Sequence, residues 1–281
     1  MHPLLRFGAG LEEGLKTFFK FLCFFSLFLW PCMLQAHFQV LLPSQEIVSS
    51  SGPQEISLRL FFTHPSAGGP TMDMAPPLAF GVLHLGQKID LTSSLKAVRL
   101  TRYICQPGKP TFHGYEATYL FKAPGDYLFY LVPRPYFEED EGRFIQQITK
   151  VVVNAYGAEE GWDKAVGLPV EIIPLTRPYG LFEGQLFRGL VLKEGRPAAH
   201  IKVEVEYYNR DCQWALKPPF ETQVVKTDAQ GVFSYSLPWA GWWGFSALTE
   251  GGVLKRAGRS YPLELDAVIW IKAYPRPSGV K

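Results

Sequence analysis

The strongest constraint on this chain is the stretch Ile201-Lys202-Val203-Glu204-Val205-Glu206-Tyr207, in which apolar and charged side chains strictly alternate. Successive side chains of an extended strand point to opposite faces, so this period fits a strand with one buried and one wet face and fits no helix. Period-two stretches recur at Ile56 to Leu60, Tyr127 to Val132 and Ala267 to Ala273, each bounded by Pro, Gly or Asp. With 26 Gly, 23 Pro and 15% aromatic residues, the chain has the turns and rings that short strands need. The expected fold class is all-β, built as sandwiches. One short helix is expected near Glu159 to Val166, confined by Gly157 and Gly161.

The first residues read differently. Arg6, Lys16 and Lys20 lead into an apolar run from Phe21 to Leu34 that ends Leu34-Gln35-Ala36. The run is shorter than the ~20 residues that cross a bilayer core, so residues 1–36 are expected to be a cleaved signal peptide with no lasting membrane anchor. The product would be periplasmic or secreted and would begin with His37. Cys105 and Cys212 would then lie in an oxidising compartment, either bridged or as two buried thiols. With 28 basic against 26 acidic residues, the chain has no charge excess to track nucleic-acid phosphates.

A connector stiffened by Pro174 and Pro178 suggests a boundary, giving an N-terminal sandwich domain over 37–174 and a C-terminal one over 179–281. The C-terminal part runs through Gly195-Arg196-Pro197, the alternating strand and Thr227-Asp228-Ala229-Gln230-Gly231-Val232-Phe233. In that turn Asp caps the amides and Gly supplies positive φ. The order resembles transthyretin-like and carboxypeptidase-regulatory-like sandwich modules, which implies a structural or interaction role for this half.

No hydrolase elbow, Walker loop, dinucleotide glycine fingerprint or paired-cysteine zinc spacing is present, so an enzyme is not expected. What remains is His and Met. Once exposed by cleavage, His37 would offer an α-amine and an imidazole that close a six-membered chelate on nickel, cobalt or copper; otherwise it is an ordinary His at a chain end. His64 ends an alternating strand, and a Pro- and Gly-rich loop then carries Met72 and Met74, the two methionines outside the leader. Thioethers beside a His suit a transition ion; two methionines packing a loop onto a sandwich explain the same residues. His84, His113 and His200 read as structural. Glu138, in the acidic run 138–141, is either solvated or a hard-oxygen ligand. Trp239, Trp242 and Trp243 read as core, with sugar stacking as the alternative.

Further motifs sharpen this. Ala36-His37-Phe38-Gln39-Val40-Leu41-Leu42-Pro43, Phe62-Thr63-His64-Pro65 with Met72-Asp73-Met74, Pro133-Arg134-Pro135-Tyr136-Phe137-Glu138, Glu160-Gly161-Trp162-Asp163 and Gly241-Trp242-Trp243-Gly244 occur in one chain. Together they resemble a family of bacterial exported proteins regarded as periplasmic components of cobalt/nickel uptake systems and otherwise a domain of unassigned function. The resemblance implies a protein that captures Ni²⁺ or Co²⁺, with Cu²⁺ as a further candidate, and delivers it to a membrane uptake transporter. It places the ligand set on His37 and His64, to which the loop adds Met72 and Met74. It also implies a His shortly after the Pro-Tyr-Phe-Glu motif, where this chain has Gln147, a poor ligand for nickel or cobalt. The alternatives are a structural two-sandwich surface protein and a copper-binding oxidase or carrier using the terminal His chelate.

Overall fold

The computed structural model describes residues 37–69, 71–101 and 111–277. The expected leader, residues 1–36, and Cys105 lie outside the described residues; Cys212 is disulfide-bonded. The strands in chain order are β1 (Phe38–Pro43), β2 (Ile47–Val48), β3 (Glu55–Thr63), β4 (Thr71–Met72), β5 (Ala79–His84), β6 (Gln87–Asp90) and β7 (Lys96–Thr101). There follow β8 (Thr111–Leu120), β9 (Gly125–Val132), β10 (Tyr136–Glu138), β11 (Arg143–Ala155), β12 (Val170–Pro174), β13 (Leu181–Phe182) and β14 (Leu186–Lys193). The last are β15 (Arg196–Pro197), β16 (Lys202–Tyr207), β17 (Gln223–Lys226), β18 (Val232–Ser236), β19 (Gly241–Arg256) and β20 (Arg259–Tyr274). The fold is all-β; among the described residues the one helical element is the 3-10 turn Thr92–Ser94.

Three sheets form. One has the order β1-β3-β8-β7 with β4 on β3; a second has β12-β14-β15 with β18 on β14. The largest runs β17-β16-β19-β20-β11-β9-β5-β6, with β2 and β10 on β11 and β13 on β20. It crosses the boundary expected at 174–179: β11 pairs in parallel with β20, Phe144 to Val151 against Leu263 to Trp270. Ala36–Lys281 is accordingly one compact unit.

The expected pair of domains therefore takes the form of two cores on a shared sheet. One holds Phe38, Leu60, Phe129, Val153, Val268 and Trp270; the other holds Ile172, Phe187, Val205, Phe245, Ile269 and Ile271. Strand β20 gives alternate side chains to each. The reason lies in Ala267-Val268-Ile269-Trp270-Ile271, apolar at every position and buried throughout. Burial of each such large side chain contributes roughly 1.5–3 kcal/mol, so a strand of this composition gains most with both faces covered.

Two local expectations are corrected. Residues 159–166 form a turn, not a helix. Carboxylates take the backbone donors there: Asp126 accepts the N–H of Trp162, and Glu171 accepts those of Val166 and Gly167. Gly161, at φ 115°, sits where a helix cannot continue. The second correction concerns the face of β16 that reads as wet. Glu204 and Glu206 are both buried, and the loop after β3 reaches Glu206, where Ser66 N–H donates to its carboxylate.

Candidate metal site

The site is built where β1 and β3 end together. Their antiparallel register pairs Phe38 with Thr63, so His37 and His64 stand one step beyond the last pair, on the same side of the ladder. Their ring centroids are 3.9 Å apart and tilted by 40°. The edge of Tyr136, on β10, meets the His37 ring at 6.0 Å and the Phe62 ring at 5.5 Å. Its hydroxyl is buried and has no hydrogen-bond partner among the described residues. From the same strand the Glu138 carboxylate comes within 3.5 Å of His37 Nδ1.

Burial, and then the charge of the adjacent His64, push the His37 pKa down to about 3. The contact with Glu138 is therefore between a carboxylate and a neutral ring. Neutral imidazole is the form that binds a metal, so His37 needs no deprotonation near neutral pH.

His64 is buried too, at the head of a loop that Gly68 and Gly69 turn back at φ 70° and 125°. Gly69 N–H donates to the His64 carbonyl at 3.0 Å. The loop is pinned to β16: Ser66 N–H donates to Glu206 Oε2 at 3.1 Å, and Tyr207 N–H donates to Ser66 Oγ at 3.0 Å. Asn209 completes the clamp, donating its N–H to the Pro65 carbonyl and Nδ2 to the Ser66 carbonyl. Burial pushes the Glu206 pKa up to about 8, against the pull of bonds from Thr222 and Ser66.

Met72 lies on the next same-side row, and Met74 follows just past the end of β4. Met72 pairs with Phe62, itself opposite Gln39, which puts it one row from the two imidazoles on the same side of the sheet. Met74 is buried, and its Sδ is 3.7 Å from Gln39 Nε2. The intervening Asp73 accepts the His113 N–H at 2.8 Å, and Met74 N–H donates to the His113 carbonyl, so His113 serves the loop through its backbone. His84 stacks on Tyr127 at 3.7 Å, and His200 adopts φ 61° in a turn. Gln147 has both ends of its amide engaged: Oε1 accepts the Gln39 N–H at 2.6 Å and Nε2 donates to Asp266 at 3.3 Å. It fixes the free edge of β1 two residues from His37.

The structure thus brings together His37, His64 and Glu138, with Met72 on the next same-side row and Met74 against Gln39. Among the described residues no group of three or more His, Cys, Asp or Glu side chains is arranged to hold a metal. Sequence reasoning missed Tyr136, although it lies in a quoted motif, and it missed Glu206, whose alternating context reads as solvent-facing.

Residues 34–251 match the family described as "Domain of unknown function (DUF4198)". No curated protein matches the chain in sequence. Among solved structures the chain is similar to the Yersinia pseudotuberculosis adhesin InvE, at 12% identity and TM-score 0.20, covering 82% of this chain and 58% of that one. It is also similar to BcpA, the major pilin subunit of Bacillus cereus, at 8% identity and TM-score 0.19, covering 85% and 67%. The Bacillus anthracis TIE protein matches at 10% identity and TM-score 0.17, covering 84% of this chain and 41% of that one.

Proposed function

We propose, on the premise that this chain belongs to the DUF4198 family, that it is an exported, non-enzymatic protein that captures Ni²⁺ or Co²⁺ and delivers it to a membrane uptake transporter. The observation that carries this reading is the pair of imidazoles 3.9 Å apart at the end of β1 and β3. One of the two rings is held neutral by burial. In this reading a leader is cut after Ala36, and the released α-amine of His37 joins its own imidazole and that of His64. Three nitrogens leave positions open on an ion that favours higher coordination, and an open set is what handover requires. A closed structural site would retain its ion.

The thioethers favour a second reading. Met72 lies on the next same-side row from the imidazoles and Met74 Sδ lies 3.7 Å from Gln39 Nε2, and soft thioether donors select copper. The protein would then be a copper carrier. Calorimetric titration of the exported protein with Ni²⁺, Co²⁺ and Cu⁺ separates the two. The nickel/cobalt reading expects Ni²⁺ binding that His37→Ala and His64→Ala each weaken by at least ~10-fold, with Met74→Leu having little effect. Nickel binding unchanged in both His variants contradicts it. Cu⁺ binding that falls in Met74→Leu, with no Ni²⁺ binding, favours copper.

A further inference from the structure

Alternation along β1 and β3 gives these strands a second face. Val40 pairs with Phe61 and Leu42 with Arg59, one residue out of step with the Gln39–Phe62 row, so these side chains point away from the imidazoles. Between this face and the start of β19 lies a cleft of about 690 Å³. Its walls carry Arg59, Arg99 and Arg210 together with the rings of Phe61, Tyr208 and Trp242. The Phe61 and Tyr208 rings meet at 6.2 Å and 50°, giving the cleft an aromatic corner.

Volume and chemistry both restrict the occupant. A cleft of this size holds a molecule up to that of a mononucleotide. Three guanidinium groups face one carboxylate within the cleft, Asp211, which stands 3.9 Å from Arg210 Nε. Outside it Glu116 approaches Arg59 at 3.4 Å. All four of these partners are substantially solvent-exposed, and such pairs contribute little net attraction in water, so an incoming anion competes for the same forks. Arg99 is exposed on β7 and makes no ion pair among the described residues. Guanidinium forks match carboxylate and phosphate oxygens two at a time, and they stack on flat rings, as do Trp and Tyr.

We propose that this cleft is a binding site for a flat aromatic molecule carrying a carboxylate or phosphate, with its ring against the half-buried Trp242 and Tyr208 and its anion held by Arg99 and Arg210. The site is independent of the metal reading: it lies on the opposite face of β1 and β3 and uses none of the same side chains.

The test is calorimetric titration of the full exported chain, with chelator present, using AMP and indole-3-acetate against the neutral adenosine and indole-3-acetamide. The anions should saturate at least ~10-fold more tightly than their neutral counterparts. The double variant Arg99→Gln/Arg210→Gln, at two exposed positions, should abolish that difference while its melting temperature stays that of the wild type. Trp242→Phe should weaken all probes that bind, because it shrinks the stacking surface. Three results overturn the proposal: no probe saturating by about 5 mM, neutral and anionic probes binding equally, or the double variant binding as the wild type does. Because no metal is present, any of them leaves the nickel measurement untouched.

Discussion

Glu171 and Glu206 are both buried carboxylates that accept backbone N–H groups from a loop, yet they are held in opposite charge states. Glu171 accepts donors from Val166, Gly167 and Leu168 and receives Lys150 Nζ at 2.6 Å. Burial opposes its ionisation, and the lysine and amide donors overcome this, holding its pKa below the usual carboxylate range. Glu206 receives Ser66 N–H and the Thr222 hydroxyl, with no cation paired to it among the described residues. Its pKa rises to about 8. The difference teaches that one device serves two ends. Where β11 meets β12 it makes a clamp indifferent to pH near neutrality, and under the His64 loop it makes one that titrates there.

The largest effect expected is from breaking the charged clamp. Glu171→Ala leaves Lys150 as an uncompensated buried charge and orphans three amide donors, so the loss should be ~3–5 kcal/mol or more by denaturant unfolding. Lys150→Met/Glu171→Leu should recover part of it, since no lone charge remains. A loss under about 1 kcal/mol in Glu171→Ala would mean that the pair is not buried as described.

The neutral clamp should show itself through pH. With a folded pKa of about 8 against 4.5 unfolded, Glu206 keeps a proton in the folded state that the unfolded chain has already released. The folded state binds more protons across that window, so this contribution to stability is complete below about pH 4.5 and is lost as pH rises toward 8. Glu206→Gln keeps an acceptor for Ser66 and removes the proton. Between pH 5 and 8 its stability should therefore fall less steeply than the wild type's, by up to ~1.4 kcal/mol per pH unit. Parallel slopes would show that Glu206 is ionised when folded. Glu206→Leu should lose ~1–3 kcal/mol by orphaning the Ser66 amide, and it should weaken Ni²⁺ binding by loosening the His64 loop.

The smallest effect marks the limit of the comparison. The Tyr136 hydroxyl is buried with no hydrogen-bond partner among the described residues. Tyr136→Phe should be neutral or slightly stabilising, within about 0.5–1 kcal/mol by thermal unfolding. A clear destabilisation would reveal a partner for that oxygen in the folded protein.

Much of the architecture was legible because strand periodicity is local. The stretches at Ile56 to Leu60 and Tyr127 to Val132 fall in strands, as does Ile201 to Tyr207 from Lys202 on, and the register of β1 against β3 then brings His37 to His64. What escaped depends on partners distant in sequence. Ala267 to Ala273 shows the same composition whether one face is covered or two; only its parallel pairing with β11 makes it a wall between two cores. Glu206 reads as solvent-facing until a loop some 140 residues earlier closes over it. The turn at 159–166 has helix-compatible residues, and its fate is decided by Asp126, 36 residues before Trp162, together with the nearby Glu171.

In the proposed reading, His37 and His64 together hold one exchangeable ion. Native mass spectrometry with Ni²⁺ of the protein expressed from its full sequence checks this, since one spectrum gives both the N-terminus and the stoichiometry. The expected result is a chain beginning at His37 with one nickel bound, and none in His37→Ala or His64→Ala. A chain that stays metal-free in excess Ni²⁺, or that keeps its nickel in both variants, would contradict the claim.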